Sequence, residues 1–165
     1  MMIPELDKST LVRAIIDQLN ANLALLMNAA KSAHDVATNE ENIADNKYDT
    51  LSLEASYLAQ GQANRAQEVR LAIDAYQQLP LRQFDADSVI GVSALVILEA
   101  EDGSHTTVFL GPQAGGLKVE TNGREVVVIT PNSPLGKGLL GKVLGDLVEL
   151  RVDETAKELE IVEVY

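Results

Sequence analysis

The stretch Ile129-Thr130-Pro131-Asn132-Ser133-Pro134-Leu135-Gly136-Lys137-Gly138-Leu139-Leu140-Gly141-Lys142 lies between two β-rich segments. It reads as a strand that stops at Pro131, followed by a helix of one to two turns. Ser133 stands where a side-chain oxygen can accept from an orphan N–H of the first turn. Pro134 suits the first helical position, and Gly141 suits the stop.

Working outward from this helix, the pattern on both sides is that of strands. Val89 to Leu98 is rich in Val and Ile, Glu101-Asp102-Gly103 offers a turn, and Thr106 to Leu110 returns. Leu117 to Glu120 and Glu125 to Thr130 flank Thr121-Asn122-Gly123, and Asn-Gly between alternating apolar runs is the strongest short-range hairpin signal. Val148 to Val152 can pair with Leu159 to Val164. The segment after residue 88 therefore predicts a small, mostly antiparallel sheet carrying one short helix.

The first half of the chain has a different period. Val12, Ile16, Leu19, Leu23, Leu26, Ala30, Ala33 and Ala37 recur at alternating spacings of four and three, which is a heptad seam. Asp7 or Ser9 can cap its start. A second seam runs through Leu51, Ala55, Leu58, Gln62, Ala66, Val69, Ile73 and Tyr76, and Pro80 ends it. Two seams of similar length joined by a short polar stretch bury each other by folding back as a hairpin with its bend near Ile43. At 1.5 Å per residue, each helix of about 30 residues would be roughly 45 Å long. The seam turns from Leu and Ile to Ala towards the bend, with Ala30, Ala33 and Ala37 expected opposite Leu51, Ala55 and Leu58. Small residues let helices approach closely, though Ala is also simply the best helix former. The predicted fold class is thus α+β, with residues 1–79 as an antiparallel coiled-coil hairpin and residues 80–165 as the sheet domain, joined by a linker over Leu81 to Asp87.

Composition limits the chemistry. The 165 residues include no Cys and no Trp, and the net charge is −12. Thiolate catalysis, disulfides and Cys-based zinc sites are excluded together. Phosphate contacts need Lys and Arg, so general binding to duplex DNA is not expected. The longest apolar runs are far short of a membrane span and no signal peptide opens the chain, so a cytoplasmic, soluble protein without a membrane partner is expected. Gly136 to Lys142 fits the opening of a nucleotide-binding Gly-rich loop. Val143, however, stands where a Ser or Thr must reach the metal, and Leu139-Leu140 would put apolar bulk in the phosphate cradle. His34 and His105 lack metal-ligand spacing.

The bend is acidic. Asp35, Glu40, Glu41, Asp45 and Asp49 crowd its neighbourhood, and Lys47 is the only base among them. Glu41 and Asp45, four apart, would share a face if the segment were helical.

Asn132-Ser133-Pro134 leading into a Gly-Leu-Leu-Gly-Lys helix, together with an acidic bend on a helical hairpin, resembles the GreA/GreB transcript-cleavage factors. That resemblance implies an FKBP-like fold for the C-terminal domain and docking on RNA polymerase through Asn132, Ser133 and Pro134. It also implies entry of the hairpin into the polymerase's secondary channel. The tip carboxylates, with Glu41 and Asp45 as the best pair and Glu40 in reserve, would act there on a Mg²⁺ shared with the polymerase active site, not stably bound by this chain alone. Carboxylates suit this hard cation. Nucleic acid would be met only within the polymerase complex, and the chain would be an accessory factor, not itself an enzyme. Phe109 is the only Phe after residue 85, so the aromatic pocket of a prolyl isomerase is not expected.

The tip departs from the family pattern of an Asp, then Glu-Asn three residues on, then a Tyr three after that Asn. Matching Glu-Asn to Glu41-Asn42 puts Thr38 at the Asp position and leaves Tyr48 too distant. Matching it to Asp45-Asn46 brings Tyr48 close but puts Asn42 at the Asp position. Two other readings therefore stay open: a channel-binding regulator of the same shape without cleavage, and a polymerase-independent coiled-coil protein whose acidic bend is merely solvated. Lys8, Arg13, Lys31, Arg65 and Arg70 either line one side of the hairpin to guide RNA or are exposed helix charges. A monomer is expected, with a dimer through the exposed hairpin as the alternative.

Overall fold

The computed structural model describes residues 7–40 and 46–165. Helices α1 (Lys8–Glu40) and α2 (Asn46–Gln77) precede a six-stranded sheet. Its strands are β1 (Leu95–Ala100), β2 (His105–Leu110), β3 (Lys118–Thr121), β4 (Arg124–Ile129), β5 (Leu147–Val152) and β6 (Thr155–Val164), with α3 (Pro134–Leu139) between β4 and β5. The expected bend near Ile43, and with it Glu41 and Asp45, lies outside the described residues.

The chain divides into two compact units. One comprises the chain up to Ile16 together with Ala75–Tyr165, and the other is Asp17–Asp74.

In the helical unit, α1 and α2 run antiparallel. Asn22, Leu25 and Leu26 share one groove with Arg65, Glu68 and Val69, while Ala30, Lys31 and His34 share another with Ser56, Ala59 and Ala63. Leu19, Ala33, Ala66 and Ile73 are buried along the seam, and Leu23, Leu26, Ala30, Ala55 and Val69 are half-buried. One expected seam residue is displaced: Leu58 is 55% exposed, and Ala59 takes the inward position. Near the bend the seam is thus built from alanines, with Ala30 beside Ala59 and Ala63. The inward residues Ala55, Ala59, Gln62, Ala66, Val69 and Ile73 keep alternating spacings of four and three, an alternation that the expected set broke at Leu58.

In the other unit the strand order is β3-β4-β2-β1-β6-β5. All pairs are antiparallel except β2–β4. After β2 the chain passes to the outer position as β3 and turns back at Asn122-Gly123, so β4 fills the gap running in the direction of β2. Both turn residues have positive φ, 53° and 74°, as the Asn-Gly signal requires. One face of the sheet packs Val96, Leu98, Val108, Leu110, Val148, Leu159 and Ile161 with Leu139 of α3 into a single core.

Two sequence expectations shift here. The first strand begins at Leu95, not Val89, because residues 90–94 are drawn into other bonds: Ile90 N–H donates to Lys142 O, and Ser93 N–H donates to Leu110 O with φ at 80°. The expected linker is not a free tether either, since Phe84 is buried in the sheet core.

The first turns of α1 belong to this unit and show why two stripes, not one, are apolar there. Leu11 and Ile15 are fully buried beside the expected Val12. Asp7 is the cap: its carboxylate accepts from Ser9 N–H and Ser9 O–H, and these bonds hold its pKa below the usual carboxylate value. From α2, Tyr76 is buried and donates its hydroxyl to Gln113 O at 2.7 Å.

Candidate functional site

The turn that leads α3 is built as its sequence predicts. Ser133 has extended backbone angles (φ −72°, ψ 155°), and its Oγ accepts from Gly136 N–H at 3.0 Å. The same hydroxyl donates to Thr130 O at 2.7 Å, and Ser133 N–H donates to that carbonyl at 3.0 Å. Pro134 occupies the first helical turn, Leu140 closes the helix, and Gly141 follows with φ at 84°. A Cβ on Gly136 would lie 1.8 Å from Thr130 O, so only glycine lets α3 approach the end of β4 this closely. Gly138 is similarly set against Val148 of β5. Of the two glycines that resemble a nucleotide-binding loop, Gly136 is therefore a packing residue and Gly141 the positive-φ stop after the helix, and residues 136–139 are helical.

This construction separates the three expected docking residues by role. Ser133 spends its hydroxyl on the cap. Asn132 and Pro134 are exposed on either side of it. Ser133 ties the turn together, donating its N–H and O–H to the Thr130 carbonyl while its Oγ accepts from Gly136 N–H of the helix, which makes the turn a fixed surface feature.

Glu41 and Asp45 fall outside the described residues, and Glu40 enters only as the last residue of α1. Among the described residues no group of three or more His, Cys, Asp or Glu side chains could hold a metal ion.

The basic residues do not form one face. Lys31 and Arg70 line a groove with Met27 and Ala30, and Arg70 donates to Met27 Sδ at 3.2 Å. Arg65 lines a different groove, with Leu25 and Glu68. Lys8 is not a surface charge at all. It is 7% exposed, and its ammonium donates to Arg82 O and, at 2.7 Å, to Ser93 O. It also lies 4.6 Å above the centre of the Phe84 ring. Burial, with Arg82 nearby, pushes the Lys8 pKa down to about 8. Sequence reasoning missed this cluster because its members are 74 and 85 residues apart and none belongs to a periodic pattern. Among the described residues, no helix is long and apolar enough to cross a membrane.

Residues 85–165 match the family described as "Transcription elongation factor, GreA/GreB, C-term". No curated protein matches the chain in sequence. Among solved structures, GreA factor homolog 1 of Thermus thermophilus is similar at 21% identity, covering 91% of this chain and 94% of that one, with a TM-score of 0.40. The Thermus aquaticus homolog has 22% identity, 93% and 95% coverage and a TM-score of 0.39. A GreA/GreB elongation factor from Nitrosomonas europaea has 20% identity, 80% and 90% coverage and a TM-score of 0.36. Over residues 85–165 the chain thus carries the C-terminal domain of the GreA/GreB transcription elongation factor family.

Proposed function

We propose that this chain binds RNA polymerase through the secondary channel and stimulates cleavage of backtracked transcripts, as an accessory factor that lends carboxylates to the polymerase active site. The observation that carries this reading is a combination within one chain. A GreA/GreB C-terminal domain follows two antiparallel helices of 33 and 32 residues, and the stretch between those helices is acidic.

Docking is assigned to the α3 turn. Because Ser133 is committed to the cap, Asn132 and Pro134 are the residues offered to the polymerase, and Ser133 holds them in place. Tip chemistry is assigned to Glu41 and Asp45, with Glu40 in reserve. When bound at the polymerase active site, Mg²⁺ supplies an activated water and steadies the leaving oxygen. Oxygen ligands from one or two carboxylates are the part this chain would add, since Mg²⁺ takes few protein ligands.

A second reading has its own support in Thr38 and Asn42, which stand where the family pattern expects Asp. A tip lacking one acid favours a channel-binding regulator that does not cleave. Transcript cleavage in a stalled, backtracked complex decides between the two. Cleavage that rises on adding the protein and falls with Glu41→Gln or Asp45→Asn supports the first reading. Channel occupancy that competes with an active cleavage factor, without cleavage at any Mg²⁺ concentration, supports the second. Absence of polymerase binding overturns both.

A further inference from the structure

The sheet ends on β5, a six-residue strand whose outer side has no neighbour among the described residues. It contains no Pro or Lys and pairs with β6 without a register shift, so neither proline nor a bulge blunts this edge, and its charges are the oppositely signed Glu149 and Arg151. The β5–β6 turn is the two-residue Asp153-Glu154, with Asp153 at φ 56° and Val152 facing Thr155. In such a hairpin the closing pair is hydrogen-bonded, so even-numbered residues of β5 direct their N–H and C=O groups to β6. The 2.9 Å bond from Ile161 N–H to Asp146 O continues the same parity. Leu147, Glu149 and Arg151 therefore direct theirs outward.

Charge then selects an occupant. Glu149 and Arg151 project from one face of the strand, 3.3 Å apart at Oε1 and Nε and both largely exposed. Across β6, Glu149 faces Glu158, a like-charge neighbour. A second β5 running antiparallel about an axis at Leu150 would set Glu149 opposite Arg151 of the other copy, twice over. That register also places the outward amides of Glu149 and Arg151 directly opposite one another, as a hydrogen-bonded pair requires. Moving the axis to Glu149 or Arg151 would oppose like charges instead.

We propose that the β5 edge is a homodimerisation surface, pairing with β5 of a second copy in the register centred on Leu150. One strand pair covers little area, so the association is weak and concentration-dependent. Sedimentation velocity of the full chain from micromolar to millimolar concentration should show a reversible dimer. Hydrogen exchange at the Glu149 and Arg151 amides should slow as it forms. Arg151→Glu opposes like charges at both pairs and should weaken association about tenfold. The double exchange Glu149→Arg with Arg151→Glu restores complementarity and should recover it, which a general loss of structure could not do. A chain that stays monomeric to millimolar concentration overturns the proposal, as does a dimer indifferent to both variants.

Discussion

Replacing Gly136 with Ala should be among the most damaging single-methyl changes available in this chain. The added Cβ would sit 1.8 Å from Thr130 O and 2.8 Å from Thr130 C, both backbone atoms that cannot rotate away. Relief requires moving the end of β4 or the start of α3 by more than an ångström. Either shift strains three bonds converging there: Ser133 N–H and Ser133 Oγ to Thr130 O, and Gly136 N–H to Ser133 Oγ. At about 1 kcal/mol for each bond, plus about 1–3 kcal/mol for overpacking beside buried Leu139, the loss is about 4–6 kcal/mol. That is a large share of a typical domain's stability. Two other glycines calibrate the result. Gly138→Ala meets only Val148 Cγ1, at 2.9 Å, the movable end of a side chain, and gains helix propensity, so it should change stability by less than about 1 kcal/mol. Gly61→Ala has open space in the interior of α2 and should stabilise its unit by about 1 kcal/mol. Because the chain has two units, hydrogen exchange resolved by peptide is the right assay, read over residues 124–142 and 53–70 in increasing urea. Wild-type protection in Gly136→Ala would refute the close-approach argument, and so would a Gly138→Ala variant that loses as much.

Tyr76→Phe removes the bond to Gln113 O and should destabilise the sheet unit by about 1 kcal/mol in urea titration. Burial also pushes the Tyr76 pKa upward, so wild-type stability should fall above about pH 10, where the unfolded chain ionises first, and Tyr76→Phe should flatten that fall. Lys8 shifts the other way: with a folded pKa of about 8 against 10.5 for an ordinary lysine, stability should rise with pH between those values as the buried ammonium is relieved. Lys8→Met should abolish that rise, and an unchanged slope would show that Lys8 is not the titrating group. At the tip, Glu41→Gln or Asp45→Asn should slow transcript cleavage at least about tenfold, a loss of about 1.4 kcal/mol at the transition state, while polymerase affinity is kept. Deleting residues 85–165 should abolish polymerase binding in a pull-down, and full affinity in the isolated hairpin would sink the docking assignment.

What could be read from the sequence was whatever depends on near neighbours. The α3 cap is a four-residue arrangement, and Ser133, Pro134 and Gly141 each took the place their local chemistry demands. The Asn122-Gly123 hairpin was equally legible, because its two positive φ angles are a property of those two residues. The helices were legible through their period, and the expected seam missed where it broke the four-three alternation, taking the larger Leu58 in place of Ala59, which holds the seam. Long-range demands were not legible. Nothing near Val89 announces that the first strand will wait until Leu95, because the cause is a bond to Lys142. Nothing near Lys8 announces that its ammonium will be taken up by carbonyls of Arg82 and Ser93.

The same division explains why the signature stretch is informative about family but only indirectly about function. Most of its features answer to packing: Gly136 to the carbonyl of Thr130, Gly138 to Val148, Ser133 to the helix cap, and Leu139 to the core. A sequence needs them to build this domain, whatever the domain does. Asn132 has no such duty in the fold, and it stands exposed beside Pro134, the first residue of α3, at a point the packing residues hold in place. Substituting Asn132 should therefore separate docking from folding. Asn132→Ala should weaken polymerase binding with little loss of stability. Ser133→Ala should lose about 1 kcal/mol of stability with the cap, and lose binding only as far as the turn moves. If Asn132→Ala unfolds the turn or leaves binding untouched, the surface that meets the polymerase lies elsewhere on the domain.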